Sequence, residues 1–243
     1  MKKAFTILEL VFVITVIGIL SVVVAPRFGT TNLKDAATQV VSHIRYTQHL
    51  AMSNDKYDPL DVASNNSWFE RRWRIAFSKS VNTKNHYAYT IFDDRLSNAS
   101  GNPDRNEVAV NPVDKNKKLT GGDAGATMIH TGDPDATDEM NIGLEYGILD
   151  VSFSPNCRTA SNSKTITFDH LGRPIRGATS SMSTAYDSST TETNNLISQR
   201  CQINLCTASS CATASSDEMI SIIIEPETGY TCVLGSDGNC TGV

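Results

Sequence analysis

The sequence predicts an α+β protein in which a long N-terminal helix, its first half transmembrane, packs against an antiparallel β-rich head stapled by disulfides. Three observations predict this fold class. An apolar run covers residues 5–25, an apolar repeat with three- and four-residue spacing follows over 33–51, and short alternating segments fill much of the remaining chain. All 6 cysteines lie in this later part of the chain. We therefore expect a helical N-terminal part and a β-rich body.

Composition and charge exclude several classes of protein. The chain has 243 residues, of which 40% are hydrophobic and 19% charged. Its 15 glycines and 8 prolines are too few and too aperiodic for a collagen-like or low-complexity protein. The length suffices for one substantial domain or two small ones. The formal net charge is -5, so the surface as a whole is not expected to attract nucleic acid.

The apolar run has the length of a membrane span. At ~1.5 Å per residue, a helix over residues 5–25 would be about 30 Å long, which is the thickness of the hydrocarbon core of a bilayer. Lys2 and Lys3 precede the run and predict that the N-terminus stays in the cytoplasm. The cysteine-bearing body is then expected on the other side of the membrane, in an oxidising compartment.

Glu9 and Pro26 distinguish this segment from a cleaved secretory signal and from a simple anchor. A carboxylate costs about 3 kcal/mol to insert into a membrane, so a segment used only for targeting has no need of Glu9. A signal peptidase site after Ala25 is disfavoured, because the ring of Pro26 and its missing N–H would follow the cleaved bond. Pro26 is expected either to kink the helix at this point or to end it.

The segment after the apolar run predicts an amphipathic stalk helix. Its apolar side chains recur at helical spacing: Leu33, Ala36, Ala37, Val40, Val41, Ile44 and Ala51. Asn32 is a suitable N-terminal cap, and Ser53-Asn54-Asp55 is a suitable end. The apolar face requires a cover, which we expect to be a β-sheet. His43 and His49 do not share a face at i, i+4 spacing and are expected to be solvated.

Alternating segments predict the strands of the head. Residues 72–77 and 86–92 are expected to form a hairpin, and the further candidates are 108–110, 149–153, 165–168, 201–206, 219–225 and 230–234. A second hairpin turn is predicted at 226–229, with Gly229 where a positive φ is needed. Arg72 and Arg74 are expected on the solvent face of their strand. The polar segments 93–147 and 177–198 are expected to be surface insertions.

The cysteines are predicted to form disulfides. The candidates are Cys157, Cys201, Cys206, Cys211, Cys232 and Cys240. An even number confined to one region favours bridges over reduced thiols, given the expected oxidising compartment. Metal binding by the three cysteines between 201 and 211 is less favoured, because no C-x-x-C motif or histidine pair flanks them. The connectivity is open, apart from an expected local pair between Cys232 and Cys240.

The sequence contains no recognisable catalytic motif. It has no Walker loop, no G-x-G-x-x-G after a strand, no G-x-S-x-G and no H-E-x-x-H, so we expect no enzyme, no cofactor and no metal. The acidic segment 133–139 offers oxygen ligands for calcium, but its spacing is not that of an EF-hand, and a solvated loop is the default. Residues 229–243 contain no Lys or Arg, so nucleic acid is an unlikely partner.

The N-terminal residues resemble a known processing signal. The chain begins Met1-Lys2-Lys3-Ala4 and continues Phe5-Thr6-Ile7-Leu8-Glu9-Leu10. This sequence resembles the class III signal of type IV pilins and pseudopilins, in which prepilin peptidase cuts before the Phe and the new amine is methylated. The resemblance implies cleavage between Ala4 and Phe5 and N-methylation of Phe5. The family usually has Gly where this chain has Ala4.

The same resemblance implies an assembly role for Glu9 and Pro26. A carboxylate within the membrane needs a partner, and the α-amine released on a neighbouring subunit could supply one. Such a pair at Glu9 would set the axial register between subunits. In assembled filaments of the family the region around Pro26 often unwinds, which fits a proline that loosens the helix there.

Two segments of the body resemble turns of the H-type minor pseudopilins and related minor pilins. One contains Phe168-Asp169-His170-Leu171-Gly172-Arg173-Pro174, and the other is the hairpin at 222–230. The resemblance implies a pilin-like fold with four parts. They are a prepilin leader at 1–4, a transmembrane and filament-core helix at 5–26, an amphipathic stalk helix at 27–54, and a periplasmic β-rich head at 55–243.

The implied function is assembly rather than catalysis. The chain is expected to be a minor pseudopilin of a type II secretion system, held in the inner membrane. Its expected partners are other pilin or pseudopilin subunits, prepilin peptidase and an inner-membrane assembly platform. A minor or major type IV pilin used in adhesion, motility or DNA uptake is the alternative within the family. A membrane-anchored periplasmic binding module is the alternative from another class.

Overall fold

The computed structural model describes residues 7–57, 68–94, 101–123, 129–180, 182, 184–186 and 195–241, apart from the side chains of residues 19–31. Within these ranges the chain is α+β, with antiparallel sheets and disulfides, as the sequence predicts. The predicted cleavage site between Ala4 and Phe5 lies outside the described residues, and so does the side chain of Pro26.

Two antiparallel sheets form the head. The first has the strand order β2-β1-β4-β5 and contains β1 (Arg74–Lys79), β2 (Tyr87–Phe92), β4 (Thr165–Phe168) and β5 (Pro174–Arg176). The second has the order β3-β6-β7-β8-β9 and contains β3 (Asp150–Phe153), β6 (Cys201–Cys206), β7 (Met219–Ile224), β8 (Thr231–Leu234) and β9 (Cys240–Thr241). The strands predicted at 149–153, 165–168, 201–206, 219–225 and 230–234 are confirmed to within a residue or so at either end.

Both predicted hairpins are present. Strands β1 and β2 pair with Ile75 opposite Ile91 and Phe77 opposite Tyr89, and all four of these side chains are buried. Strands β7 and β8 pair around the predicted turn, where Gly229 has a φ of 64°. In β1 the register places Ile75 and Phe77 on the core side, and a slip of one residue would move them to the opposite face of the sheet.

The segment 93–147 is not the surface insertion that its polar composition predicts. Its apolar residues Val108, Leu119, Met140 and Ile142 are buried, and it contains the short helix α2 (Ile142–Tyr146). The physical reason lies in the backbone of β2, since the Ile91 N–H donates to the carbonyl oxygen of Leu119, and the Ile91 carbonyl oxygen accepts from the N–H of Ala109. The segment thereby covers the edge of the first sheet, which would otherwise present unpaired backbone groups.

Helix α1 (Ile7–Ser53) covers the inner faces of both sheets. Its buried side chains are those predicted from the repeat: Leu33, Ala36, Ala37, Val40, Val41, Ile44 and Ala51. They share one core with apolar residues of both sheets, among them Ile75, Phe168, Ile203 and Ile222. The small alanine side chains at the start of this face let the helix backbone lie close to the strands.

The predicted membrane span requires correction. A span needs roughly 20 consecutive apolar residues, whereas the side chains that the structure describes in the apolar part of α1 are those of residues 7–18. No helix in the described part of the chain is both long and apolar enough to cross a membrane. The predictions of a transmembrane first half over 5–26, and of a single-pass inner-membrane location with a periplasmic head, are therefore wrong.

All 6 cysteines are paired. Cys157 bonds Cys201, Cys206 bonds Cys211, and Cys232 bonds Cys240, with Cα atoms 5.0, 5.5 and 5.5 Å apart. The expected local pair between Cys232 and Cys240 is confirmed. Every bridge touches a strand of the second sheet, so the disulfides staple that sheet to its neighbouring turns.

The C-terminal end of α1 is hydrogen-bonded to both turns that the sequence singles out. Gln48 Nε2 donates to the carbonyl oxygens of Gly172 and Thr228, both at 2.8 Å. Arg45 donates to the carbonyl oxygen of Thr231 from Nη2 at 2.7 Å and from Nε at 3.1 Å. Gly229 lies between these contacts, where a Cβ atom would overlap the Gly172 carbonyl oxygen and the Gln48 amide.

Gly229→Ala tests whether this close approach matters for stability. Holding an alanine in the left-handed backbone conformation costs about 1–2 kcal/mol. At this position the new Cβ also overlaps the Gly172 carbonyl oxygen and the Gln48 amide. We expect a loss of unfolding free energy at least about 2 kcal/mol larger than that of Gly147→Ala. Gly147 is the matched control, because its φ is 72° and a Cβ there meets nothing within 4 Å. Urea denaturation measures both, and equal losses would show that the turn simply moves away.

Candidate functional site

The predicted assembly residue Glu9 lies in the first turn of α1. A carboxylate at this position is stabilised by the positive end of the helix dipole. Its side chain is exposed, as are those of the neighbouring residues described up to residue 18. Of the predicted site residues before the head, Glu9 is therefore the one whose surroundings the structure shows.

A continuous apolar surface surrounds Glu9, and we call it the N-terminal apolar surface. It consists of Ile7, Leu8, Leu10, Val11, Phe12, Val13, Ile14, Val16 and Ile17, whose exposed fractions run from 38% for Val16 to 83% for Ile7. Thr15 does not interrupt it, because its hydroxyl donates back to the carbonyl oxygens of Val11 and Phe12. Contiguous exposed apolar side chains of this extent mark an interaction surface.

The apolar residues of this surface face all directions around the helix. A surface helix of a globular domain has an apolar stripe on one side, whereas a helix that is apolar all round is normally buried on all sides. Among the side chains of α1 that the structure describes, those of residues 7–18 are exposed, and those that the head buries begin at Leu33. The arrangement therefore suits a helix that is surrounded by other apolar chains.

A partly buried hydrogen-bond network ties the helix to the head near the start of their contact. Gln39 Nε2 donates to the Tyr89 hydroxyl at 2.9 Å and to the carbonyl oxygen of Glu139 at 2.7 Å, and Gln39 Oε1 accepts from the Tyr146 hydroxyl at 2.6 Å. The Tyr89 hydroxyl lies 2.6 Å from His43 Nδ1. Since it already accepts from Gln39, it can donate its proton to a neutral His43 whose Nδ1 carries none.

His43 is therefore not the solvated side chain that its isolated position in the sequence predicts. Burial lowers the pKa of His43 from 6.5 to about 4, against the smaller opposing effect of the Glu139 carboxylate. Burial likewise raises the pKa of Tyr89 well above its ordinary value. One feature of the sequence could have indicated that His43 contacts the head. Gln39 and His43 are four residues apart and so lie on the same side of the helix, beside its apolar face.

The two arginines predicted on a solvent face are buried. Arg74 is fully buried, and its Nη1 lies 3.7 Å from the carboxylate of Asp94. Burial lowers the pKa of Arg74 to about 10, although Asp94 and other acidic residues oppose the shift. Arg72 is 2% exposed and lies between the rings of Trp68 and Tyr186. The adjacent pair Asp93-Asp94 after β2 was the available signal for a buried cation.

The acidic segment at 133–139 is held by hydrogen bonds and ion pairs with its surroundings. Asp133 accepts from the backbone N–H of His130, Asp135 pairs with Arg105, and Asp138 lies 3.5 Å from Lys117. Among the residues that the structure describes, no group of three or more His, Cys, Asp or Glu is arranged to hold a metal ion.

No family model, curated protein or solved structure matches the chain. What the geometry offers is the N-terminal apolar surface, with Glu9 within it, on a helix that is fastened to a disulfide-bonded head. In such an arrangement, a partner bound at the N-terminal apolar surface is connected to the head through a single helix.

His43 predicts how stability depends on pH. Its folded pKa lies below its unfolded value, so between pH 6.5 and 4 the unfolded chain binds a proton that the folded chain does not. The contribution of neutral His43 to the free energy of unfolding is fully present above pH 6.5. It falls by roughly 3 kcal/mol on acidification to pH 4. Urea denaturation across this range measures the loss.

His43→Gln removes the titration while leaving an oxygen that can accept from Tyr89. We expect this variant to lose the part of the pH dependence that belongs to His43. His49→Gln is the matched control, because His49 is an exposed histidine on the same helix. A His43→Gln variant with the same slope as His49→Gln would contradict the prediction.

Proposed function

We propose that the protein is a non-enzymatic filament subunit of the minor pseudopilin type, serving a type II secretion system. Prepilin peptidase would cut between Ala4 and Phe5, and the subunit would then assemble with other pilin or pseudopilin subunits through α1. The observation that carries the proposal is the N-terminal apolar surface, which is exposed on all sides of the helix.

The energetics favour assembly of several such helices. Complete burial of a Val, Leu, Ile or Phe side chain stabilises a structure by about 1.5–3 kcal/mol relative to exposure. Association costs on the order of 4–15 kcal/mol in lost freedom, so burial of most of the N-terminal apolar surface offsets it. Neighbouring helices of like composition provide this burial through interlocking ridges and grooves.

Glu9 gives such a bundle its register. Apolar packing alone allows one helix to slide along another, because it has no preferred direction. A carboxylate buried within the bundle requires a cation, since an uncompensated buried charge costs several kcal/mol. The α-amine of Phe5 on a neighbouring subunit is a compact partner for Glu9 and would fix the axial offset.

The head supports the same proposal. Its three disulfides suit a protein that folds in an oxidising compartment. Both turns that resemble those of minor pseudopilins, at Gly172 and at Gly229, meet at Gln48 of α1. The resembling segments thus contribute to holding the head on the helix.

Phe12→Asp tests assembly directly. A carboxylate in place of a ring that is 69% exposed leaves the isolated fold unaffected, but it would be buried in a bundle. We expect co-purification of two differently tagged full-length copies to fall at least about tenfold. Val113→Asp is the matched control, since Val113 is 93% exposed in the head. Equal co-purification of both variants would contradict the assembly surface.

Processing and register are tested by mass spectrometry of the mature N-terminus, together with Glu9→Ala. We expect an N-methylated Phe5 terminus in both the parent and the variant, and loss of filament incorporation in the variant. Filaments sheared from cells, compared with the remaining cell fraction, separate a secretion pseudopilus from a surface pilus. An uncut Met1 terminus would overturn the pseudopilin proposal, and normal behaviour of Glu9→Ala would favour a binding module.

A further inference from the structure

A small cavity lies where the C-terminal end of α1 meets the start of the first sheet. Its volume is about 10 Å³, which is room for one particle of the size of a water molecule. Ala51 and Lys56 border it on the helix side, and Trp68, Arg72, Trp73 and His170 border it on the head side. Both tryptophans of the chain therefore line this cavity.

The Arg72 side chain is fixed in place beside the cavity. Its guanidinium lies 4.9 Å from the ring centre of Trp68 and 4.8 Å from that of Tyr186, and Nη1 donates to the carbonyl oxygen of Ala185 at 2.9 Å. Its Nε and Nη2 atoms are buried and have no hydrogen-bond partner among the described residues. These two N–H groups form one edge of the guanidinium, the edge that binds an anion with two parallel hydrogen bonds.

A second buried donor lines the same cavity. Trp73 Nε1 is buried without a hydrogen-bond partner in the described part of the chain, and so is His170 Nδ1. A guanidinium and an indole only donate hydrogen bonds. A water molecule has two lone pairs, so it could satisfy at most two of the three donors on Arg72 and Trp73. A particle that only accepts can satisfy all three.

The unpaired edge of the Arg72 guanidinium is the charged group that favours an anion in the cavity. Lys56, whose ammonium lies 4.9 Å from the ring centre of Trp73, is paired with Asp93. The buried carboxylate of Asp169, which also acts on Arg72, is paired with Arg173. Asp55 supplies a lining carboxylate, but it is exposed and its Oδ1 accepts from the backbone N–H of Tyr57. Water therefore screens Asp55 more than it screens the buried guanidinium.

We propose that this cavity binds a single monatomic anion of the chloride type. Arg72 Nε and Nη2 and Trp73 Nε1 donate to it, and so small a volume favours a single atom over a carboxylate, sulfate or phosphate group. The ion offsets the cost of burying a guanidinium with one edge unpaired. It thereby stabilises the segment just before β1, beside the end of α1, independently of any assembly by the N-terminal apolar surface.

The test is thermal unfolding of the full chain in sodium chloride, sodium bromide and sodium gluconate at equal ionic strength. We expect a saturable rise in Tm with chloride and bromide that gluconate does not give, because gluconate is far larger than the cavity. Crystals grown in bromide should show an anomalous peak within hydrogen-bonding distance of Arg72 Nε. The same Tm in all three salts, or a water molecule at that position, would overturn the proposal.

Trp73→Phe supplies the variant that keeps the fold. It removes one donor N–H and retains a ring, and we expect the halide concentration for half of the Tm rise to increase about tenfold. Trp68→Phe is the matched control, since it leaves all three proposed donors in place and should leave the halide response unchanged. An equal response of the parent and Trp73→Phe would show that the halide acts elsewhere.

Discussion

The packing of one face of α1 against both sheets is the contact on which the rest of the structure depends. Each sheet has an apolar face that it cannot cover by itself, and the two sheets do not share a strand. Ala36, Ala37, Val40 and Ile44 are fully buried between them. One helix therefore covers the apolar faces of both sheets, and both sheets would expose apolar surface without it.

Polar contacts along the helix give this packing a single arrangement. Apolar burial has no direction, and it would tolerate a rotated or shifted helix. The network of Gln39, His43 and Tyr89 fixes the helix at the level of the first sheet, and Arg45 and Gln48 fix it one to two turns later at the turns of the head. Each of these donors has backbone or side-chain acceptors that a rotation would leave unpaired, which is costly where the groups are partly shielded from water.

The sequence allowed prediction of features that depend on nearby residues. The β1–β2 hairpin follows from alternation and the Gly229 turn from local turn chemistry, whereas segment 93–147 was misjudged because its burial comes from pairing with β2. The position of Arg74 was predicted wrongly for a similar reason. An alternating pattern predicts one solvent-exposed face, but at the start of β1 both faces are buried. For the candidate site, Glu9 stands out in an apolar run, but the contacts of His43 require Tyr89, which the fold brings from 46 positions away.

The distribution of the disulfides has a mechanical consequence. All three bridges join parts of the second sheet or its flanking turns, and none includes a residue of α1 or of the first sheet. A pull along the axis of α1 is therefore resisted by apolar packing and hydrogen bonds alone. Under sustained tension α1 would detach from the head while the disulfides kept the second sheet linked, so the lifetime of the contact between α1 and the head would be set by the rate of that detachment.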